Sequence, residues 1–194
     1  LGSSSNNYEL SFTEPWLFDL PLWCKADIWK YKKEYDSYTL DTKGAGLTLG
    51  YPIWNRIVGY VGYKLSMDDI RDVNQLTASS YIRAQAGERT TSSVSLTLAY
   101  DTTNHSMFPS KGIKTSVSVQ HAGTPLGGNT HFTKYSGTAS GYYPVFRDIV
   151  FGAKSRIGYL QNNDDSDDKI PIYERYVLGG INSLRGLRYV GPTN

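Results

Sequence analysis

The feature that most limits the fold of this chain is a two-residue alternation of apolar and polar side chains. It is clearest over residues 91–101, where Val94, Leu96, Leu98 and Tyr100 alternate with small polar residues and Asp101. The same alternation returns over residues 113–121. Because successive side chains of a β-strand point to opposite faces, these segments are predicted to be strands with one apolar and one polar face.

Turn signals divide the chain into eight segments of this kind, with a short helix near residues 69–77 and a long loop over residues 161–194. The predicted strands cover residues 7–14, 20–31, 38–51, 56–67, 91–101, 113–121, 130–143 and 148–160. Each strand is joined to the next by a turn or a loop. We therefore predict an all-β fold, with residues 1–194 forming part of one antiparallel up-and-down β-barrel domain.

The length of the strands favours a membrane over a soluble core. They run to about 9–14 residues, whereas strands of soluble proteins have about 5–6 and a tilted membrane-spanning strand needs about 9–11. The connections at 14–19, 52–55 and 144–147 are short and share one end, as do the periplasmic turns of outer-membrane barrels. A soluble all-β domain with tyrosine-rich edges is the alternative.

Aromatic residues gather near these short connections, where they are predicted to form an interfacial girdle. The predicted girdle contains Trp16, Phe18, Trp23, Tyr51, Trp54, Tyr142, Tyr143 and Phe146.

The polar faces of the predicted strands carry charges that a small, packed barrel could not accommodate. These residues are Lys25, Asp27, Lys64, Asp101, Lys114, Lys154 and Arg156. A wide lumen filled with water would accommodate them. An open sheet with one solvated face is the other arrangement that fits this pattern.

Composition argues against several other classes of protein. The net charge is +2 in 194 residues, so no nucleic-acid partner is expected. The single cysteine, Cys24, leaves no internal disulfide. The three histidines lack the spacing of metal ligands, and the acidic run at 164–168 fits a solvated loop better than a weak calcium site. We expect no catalytic residue, no metal and no cofactor, and hence no enzyme.

An apolar loop that contains arginines follows the last predicted strand. Residues 176–192 are rich in glycine, as loops are, but also in leucine, valine and tyrosine, so the loop is expected to pack against another part of the protein. Its central residues are Gly179, Gly180, Ile181, Asn182, Ser183, Leu184, Arg185, Gly186 and Leu187. They resemble the GGxxSLRGF loop of the BamA-like outer-membrane assembly factors, with Leu187 in place of the usual aromatic residue. The alternative is an ordinary glycine-rich surface loop.

Two turns resemble the same family. The first contains Glu14, Pro15 and Trp16 and follows Leu-Ser-Phe-Thr at 10–13; the second runs from 100 to 112 and contains Asp101, Pro109 and Gly112.

Physical chemistry predicts the local structure of the second turn independently of the family. Asp101 and Asn104 should accept backbone N–H groups, Pro109 should restrict φ, and Gly112 can adopt positive φ.

The resemblance implies that this chain is the middle of a larger barrel. In the family the barrel has about sixteen strands, so about three would precede this chain and about five would follow it. The long loop folds back into the lumen, and Arg185 would dock on a later strand outside this chain. Residues 178–189 are therefore expected to be poorly anchored in this chain alone.

The resemblance also implies a function, a location and partners. We expect an assembly factor of the bacterial outer membrane that folds and inserts β-barrel proteins. Its partners would be unfolded outer-membrane proteins, membrane lipids and accessory lipoproteins that act through upstream POTRA domains. A polypeptide-secretion pore of the two-partner type is the alternative, and a passive porin fits the arginine loop poorly.

Overall fold

The eight predicted strands form one antiparallel sheet in a computed structural model, which describes residues 5–35, 37–76, 78–147, 149–163 and 170–176. The strands are β1 (Ser5–Glu14), β2 (Trp23–Glu34), β3 (Thr39–Trp54), β4 (Ile57–Arg71), β5 (Gly87–Asp101), β6 (Gly112–Ala122), β7 (Phe132–Phe146) and β8 (Ile149–Asn162). Each strand pairs with its sequence neighbours in the order β1 to β8. The fold class predicted from the alternation is therefore confirmed.

The strands extend further than the sequence pattern predicts, and this moves the turns. β3 continues to Trp54 and β7 to Phe146, so their hairpin turns are shorter than expected. β4 continues to Arg71 because its last residues still pair with the first residues of β5.

The prediction of a helix near residues 69–77 is wrong. The helix, α1, lies at Ser80–Ala84 instead, and the Ser79 hydroxyl accepts a hydrogen bond from the Ile82 backbone at 3.3 Å. This serine side chain begins the helix by satisfying a backbone N–H that has no partner within the helix. No described helix is long and apolar enough to cross a membrane.

The two faces of the sheet have opposite chemistry. Leu96 pairs with Val61 on β4 and Val119 on β6, and all three side chains are exposed on the outward face. Ser118 pairs with Thr97 and Ser136 on the inward face, so the inner wall is lined by small hydroxyl side chains there. An outer surface of exposed apolar side chains is what a lipid-facing wall requires.

Two members of the predicted aromatic girdle lie on the inner wall instead. The Trp23 ring packs edge-to-face on Tyr60, with ring centroids 5.8 Å apart, and Tyr142 lies beside Gly152. Both positions follow from the register, because Trp23 pairs with Gly50 and Tyr142 with Gly152. Glycine leaves room for an aromatic ring to lie close to the sheet.

Most of the buried side chains belong to polar residues. They lie at the end of the sheet that carries residues 72–86 and 123–131, which we call the loop end; the opposite end is the turn end. Thr42 and Ser66 both donate to the Asp68 carboxylate, at 2.8 and 3.0 Å, so this buried acid has hydrogen-bond partners. Buried polar side chains that are hydrogen-bonded to one another are expected beside a water-filled lumen, whereas the interior of a soluble domain is mainly apolar.

Candidate functional site

The chain turns back along the inner wall after β8. Residues 170–176, which we call the returning segment, contain a short 3₁₀ helix at Ile172–Glu174. Pro171 and Glu174 are buried, although the segment has no strand pairing of its own. Its position is therefore determined by contacts with the wall, and these contacts form the candidate functional site.

Gln85, which follows α1, binds the backbone of the returning segment. Its side-chain N–H donates to the Ile170 carbonyl at 3.2 Å, and its Oε1 accepts from the Ile172 N–H at 3.0 Å. The Gln85 residue is 2% exposed. The buried Gln85 side chain thus pairs with one backbone carbonyl and one backbone N–H of the returning segment. These groups have no strand partner that could pair with them instead.

Glu174 connects the returning segment to two strands that are not neighbours. Lys134 of β7 donates to the Glu174 carbonyl at 2.9 Å and to its Oε2 at 3.2 Å. Lys64 of β4 lies 3.7 Å from Oε1. We call these three residues the Glu174 cluster. Since the carboxylate is largely buried and both lysines are on the wall, the cluster is a specific electrostatic anchor.

The aromatic residues of the segment strengthen this attachment. The Tyr176 hydroxyl donates to the Tyr135 carbonyl at 2.7 Å and accepts from Ser136 at 2.7 Å. Burial raises the pKa of the Tyr173 hydroxyl far above its usual value, which shows how fully the segment is enclosed at this residue.

Gly158 of β8 provides the surface on which the Tyr176 ring lies. A Cβ at position 158 would overlap that ring, whereas a Cβ at Gly152, on the same face of β8, would make an ordinary contact with Tyr142 at 3.5 Å. The glycine is therefore needed for the ring to approach the wall.

We predict that Gly158→Leu displaces Tyr176 and loosens the returning segment. In the folded full-length protein, trypsin should then cleave after Arg175 faster than in the wild type. Gly152→Leu is the matched control and should leave cleavage unchanged. Equal protection of both variants would show that the ring does not hold the segment.

The turn between β5 and β6 has the local geometry predicted for Asp101, Asn104 and Gly112. Asp101 accepts from the Thr103 N–H at 2.9 Å, and Asn104 accepts from the N–H groups of Ser110 and Lys111 at 3.0 Å each. Gly112 has φ +110°, and a Cβ there would overlap the Thr102 carbonyl.

In the turn between β1 and β2, the Glu14 side chain accepts from the Trp16 N–H at 3.1 Å across Pro15. Pro109 lies half-buried in the turn between β5 and β6. The functional importance of both turns stays a prediction.

The structure describes two of the three groups of predicted site residues, the two turns. Both turns lie at the turn end, far from the returning segment, which belongs to the loop end. The motif with Gly179, Gly180, Ser183, Leu184, Arg185, Gly186 and Leu187 lies outside the described residues, as do residues 178–189, which we expected to be poorly anchored. Its role stays a prediction.

The sequence analysis missed the residues that hold the returning segment. Gln85, Lys134 and Glu174 stand at positions where a loop or a polar strand face was expected. Tyr176 begins the apolar loop that was expected to pack, but its partners on the wall were not predicted. A further signal was the pair of apolar and aromatic residues at 172–173, which is unusual in a solvated loop. In the described part of the chain no group of acidic, histidine and cysteine side chains is placed to hold a metal ion.

Below the Glu174 cluster the inner wall forms an open groove of about 360 Å³. Its lining includes the Trp29 ring, Gly62, Ser95 and Gln120. An antiparallel up-and-down sheet with an apolar outer face, a charged inner wall and its own chain packed inside defines a segment of a transmembrane β-barrel.

The family follows from comparison with known proteins. The model of the Omp85 superfamily domain matches residues 1–192, and this chain belongs to that superfamily. It is a segment of an outer-membrane β-barrel.

Relatives with named functions match nearly the whole chain. It is 26% identical over 181 residues to the outer membrane protein assembly factor BamA of Nitratidesulfovibrio vulgaris, a match that covers 93% of this chain and 22% of that protein. It is 31% identical over 170 residues to a SAM50-like protein of Schizosaccharomyces pombe, covering 82% of this chain and 34% of the relative. The chain thus spans about a third of these relatives or less.

The fold is also that of a solved barrel. The crystal structure of BamA from Haemophilus ducreyi lacking POTRA domains 1–3 matches with a TM-score of 0.79 at 23% identity. The match covers 95% of this chain and 38% of that one.

Proposed function

We propose that this chain is the central wall of a barrel that folds and inserts other β-barrel proteins into the outer membrane. The observation that carries the proposal is the returning segment, which Glu174 ties to β4 and β7 inside the wall. A lumen that is occupied by part of the barrel's own chain would obstruct the passive diffusion of solutes. The name of the bacterial relative, an outer membrane protein assembly factor, supports an assembly role.

The mechanism that we propose involves no cofactor and no chemical step. The exposed apolar residues of the outer face contact lipid, and the inner wall holds the root of the long loop. In the wider family the seam between the first and last strands opens locally and the membrane thins beside it. β1 and β8 pair on one side only among the described strands, so further strands would continue the wall from them towards that seam.

The proposed partners are unfolded outer-membrane proteins and outer-membrane lipids. Accessory lipoproteins would act through POTRA domains that precede the barrel. Purified full-length protein in lipid vesicles should accelerate the folding of a β-barrel substrate, measured by the change in its gel mobility without heating. Heat-denatured protein is the control, and equal folding rates with both preparations would contradict the assembly function.

A secretion pore of the two-partner type is the second candidate, because it shares the arginine loop. The turns with Ser-Phe-Thr-Glu-Pro at 11–15 and Phe-Pro-Ser-Lys-Gly at 108–112 are closer to the assembly branch. Release of an unfolded passenger protein across the vesicle membrane, without insertion of a barrel substrate, would favour the secretion pore.

We predict that Arg185→Ala impairs assembly far more than Arg188→Ala. A guanidinium keeps its charge in the lumen and can bind a carboxylate through two hydrogen bonds, while the adjacent Gly186 permits a close approach of the backbone. The measurement is complementation of a depleted strain by full-length variants at matched expression. If Arg188→Ala fails and Arg185→Ala complements, the wrong arginine has been chosen.

A further inference from the structure

The Trp29 ring of β2 lies across two glycines of the neighbouring strand, β3. Trp29 pairs with Gly44 in the register, and a Cβ at Gly44 would overlap the ring. A Cβ at Gly46 would lie 3.4 Å from the ring and 2.8 Å from the Asp27 carboxylate. Because β3 has no side chain at these two positions, the ring can extend over β3 towards β4.

The ring contacts Lys64 of β4, a member of the Glu174 cluster. The Lys64 ammonium group lies over the Trp29 ring, 5.8 Å from its centroid, which is within the range of cation–π attraction. The same ammonium group lies 3.7 Å from the Oε1 of Glu174. Lys64 therefore joins Trp29 to the returning segment.

The contact between Lys64 and Glu174 is weak by itself. The distance of 3.7 Å is too long for a hydrogen bond, and the Lys64 side chain is 43% exposed on a flexible stem. Asp27 faces Lys64 across Gly46 in the register, but its carboxylate pairs with Lys25 at 3.2 Å. The direction of the Lys64 side chain thus depends on the aromatic ring beside it.

The second lysine of the cluster has an equivalent aromatic neighbour. The Lys134 ammonium group lies over the Tyr176 ring, 5.1 Å from its centroid, and donates two hydrogen bonds to Glu174. Each lysine therefore contacts an aromatic ring as well as Glu174. The difference is that Tyr176 belongs to the returning segment itself, whereas Trp29 belongs to β2.

We propose that Trp29 is a positioning residue that holds the Lys64 ammonium group towards Glu174 and so ties β2 to the returning segment. The attachment then extends from β2 through β4 to β7. These strands approach one segment together only where the wall is curved, so flattening of the wall between β2 and β7 would weaken the contact and loosen the root of the long loop. This inference does not depend on the assembly function.

The test is a double-mutant cycle between Trp29 and Lys64 in the folded full-length protein. Trypsin cleavage after Arg175, followed by the masses of the fragments, should be about two- to fivefold faster in Trp29→Leu than in the wild type. In a Lys64→Met background, Trp29→Leu should cause no further increase, because its effect acts through the lysine. Trp29→Phe, which keeps a smaller ring, should show the same dependence on Lys64 with a smaller increase.

Trp23→Leu is the matched control. Trp23 is also half-buried on the inner face of β2 and lies beside a glycine of β3, Gly50, but its ring contacts Tyr60 instead of a lysine. Gel mobility without heating establishes that each variant is folded, and the Trp29→Phe cycle decides the question if Trp29→Leu does not fold. Wild-type cleavage in the Trp29 variants overturns the proposal. So does an equal increase in Trp23→Leu, or an increase that persists in the Lys64→Met background.

Discussion

Val117→Arg should destabilise the full-length barrel by about 2–4 kcal/mol, because an arginine near the bilayer midplane must leave water for hydrocarbon. Val117 is 58% exposed on the outward face, between Leu98 of β5 and Gly137 of β7. Urea titration of the refolded protein in vesicles measures the effect. Leu96→Arg, on the neighbouring strand, should act similarly.

Ser118→Arg is the matched control for this prediction. It places the same side chain one residue away, on the inner wall beside Thr97 and Ser136. Since the lumen is wet, the charge keeps its hydration and the loss of stability should be much smaller. Equal losses for Val117→Arg and Ser118→Arg would contradict the assignment of the two faces.

Glu174→Ala should detach the returning segment from the wall. Removing one partner of a fully buried ion pair costs about 3–5 kcal/mol. The side chains of Lys64 and Lys134 are 43% and 21% exposed, so water would partly compensate, and we expect about 1–3 kcal/mol. Trypsin cleavage after Arg175 should become about tenfold faster or more, since local opening controls access to the site.

The two lysines should not contribute equally. Lys134 donates two hydrogen bonds to Glu174, whereas Lys64 only approaches the carboxylate at 3.7 Å, so Lys134→Met should increase cleavage more than Lys64→Met. Asp27→Ala is the control. It breaks an inner-wall ion pair with Lys25 at 3.2 Å that does not contact the segment. If Asp27→Ala increases cleavage as much as Glu174→Ala, general loosening of the wall explains the result.

The sequence was sufficient for the strands because their signal is local. In β5 the alternation of Leu96 and Leu98 with Ser95 and Thr97 determines which face is apolar, and a sheet has only two faces. The hydrogen bonds of Asp101 with Thr103 were predictable for the same reason, since they join residues two positions apart. The helix was placed wrongly because Asp69 and Ile70 form strand pairs with β5, which local propensity does not register.

By itself, then, the sequence determined the fold class, the number of strands and the two faces of the wall. Only the tertiary structure decided what lies inside it. The bonds from Gln85 to Ile170 and from Lys134 to Glu174 join residues 85 and 40 positions apart. No periodic pattern encodes such a pair, because a lysine on a polar strand face could be hydrated just as well as bound to a carboxylate. The partner becomes defined only when β4, β7 and the returning segment are brought together by the curvature of the sheet and the direction of the chain after β8.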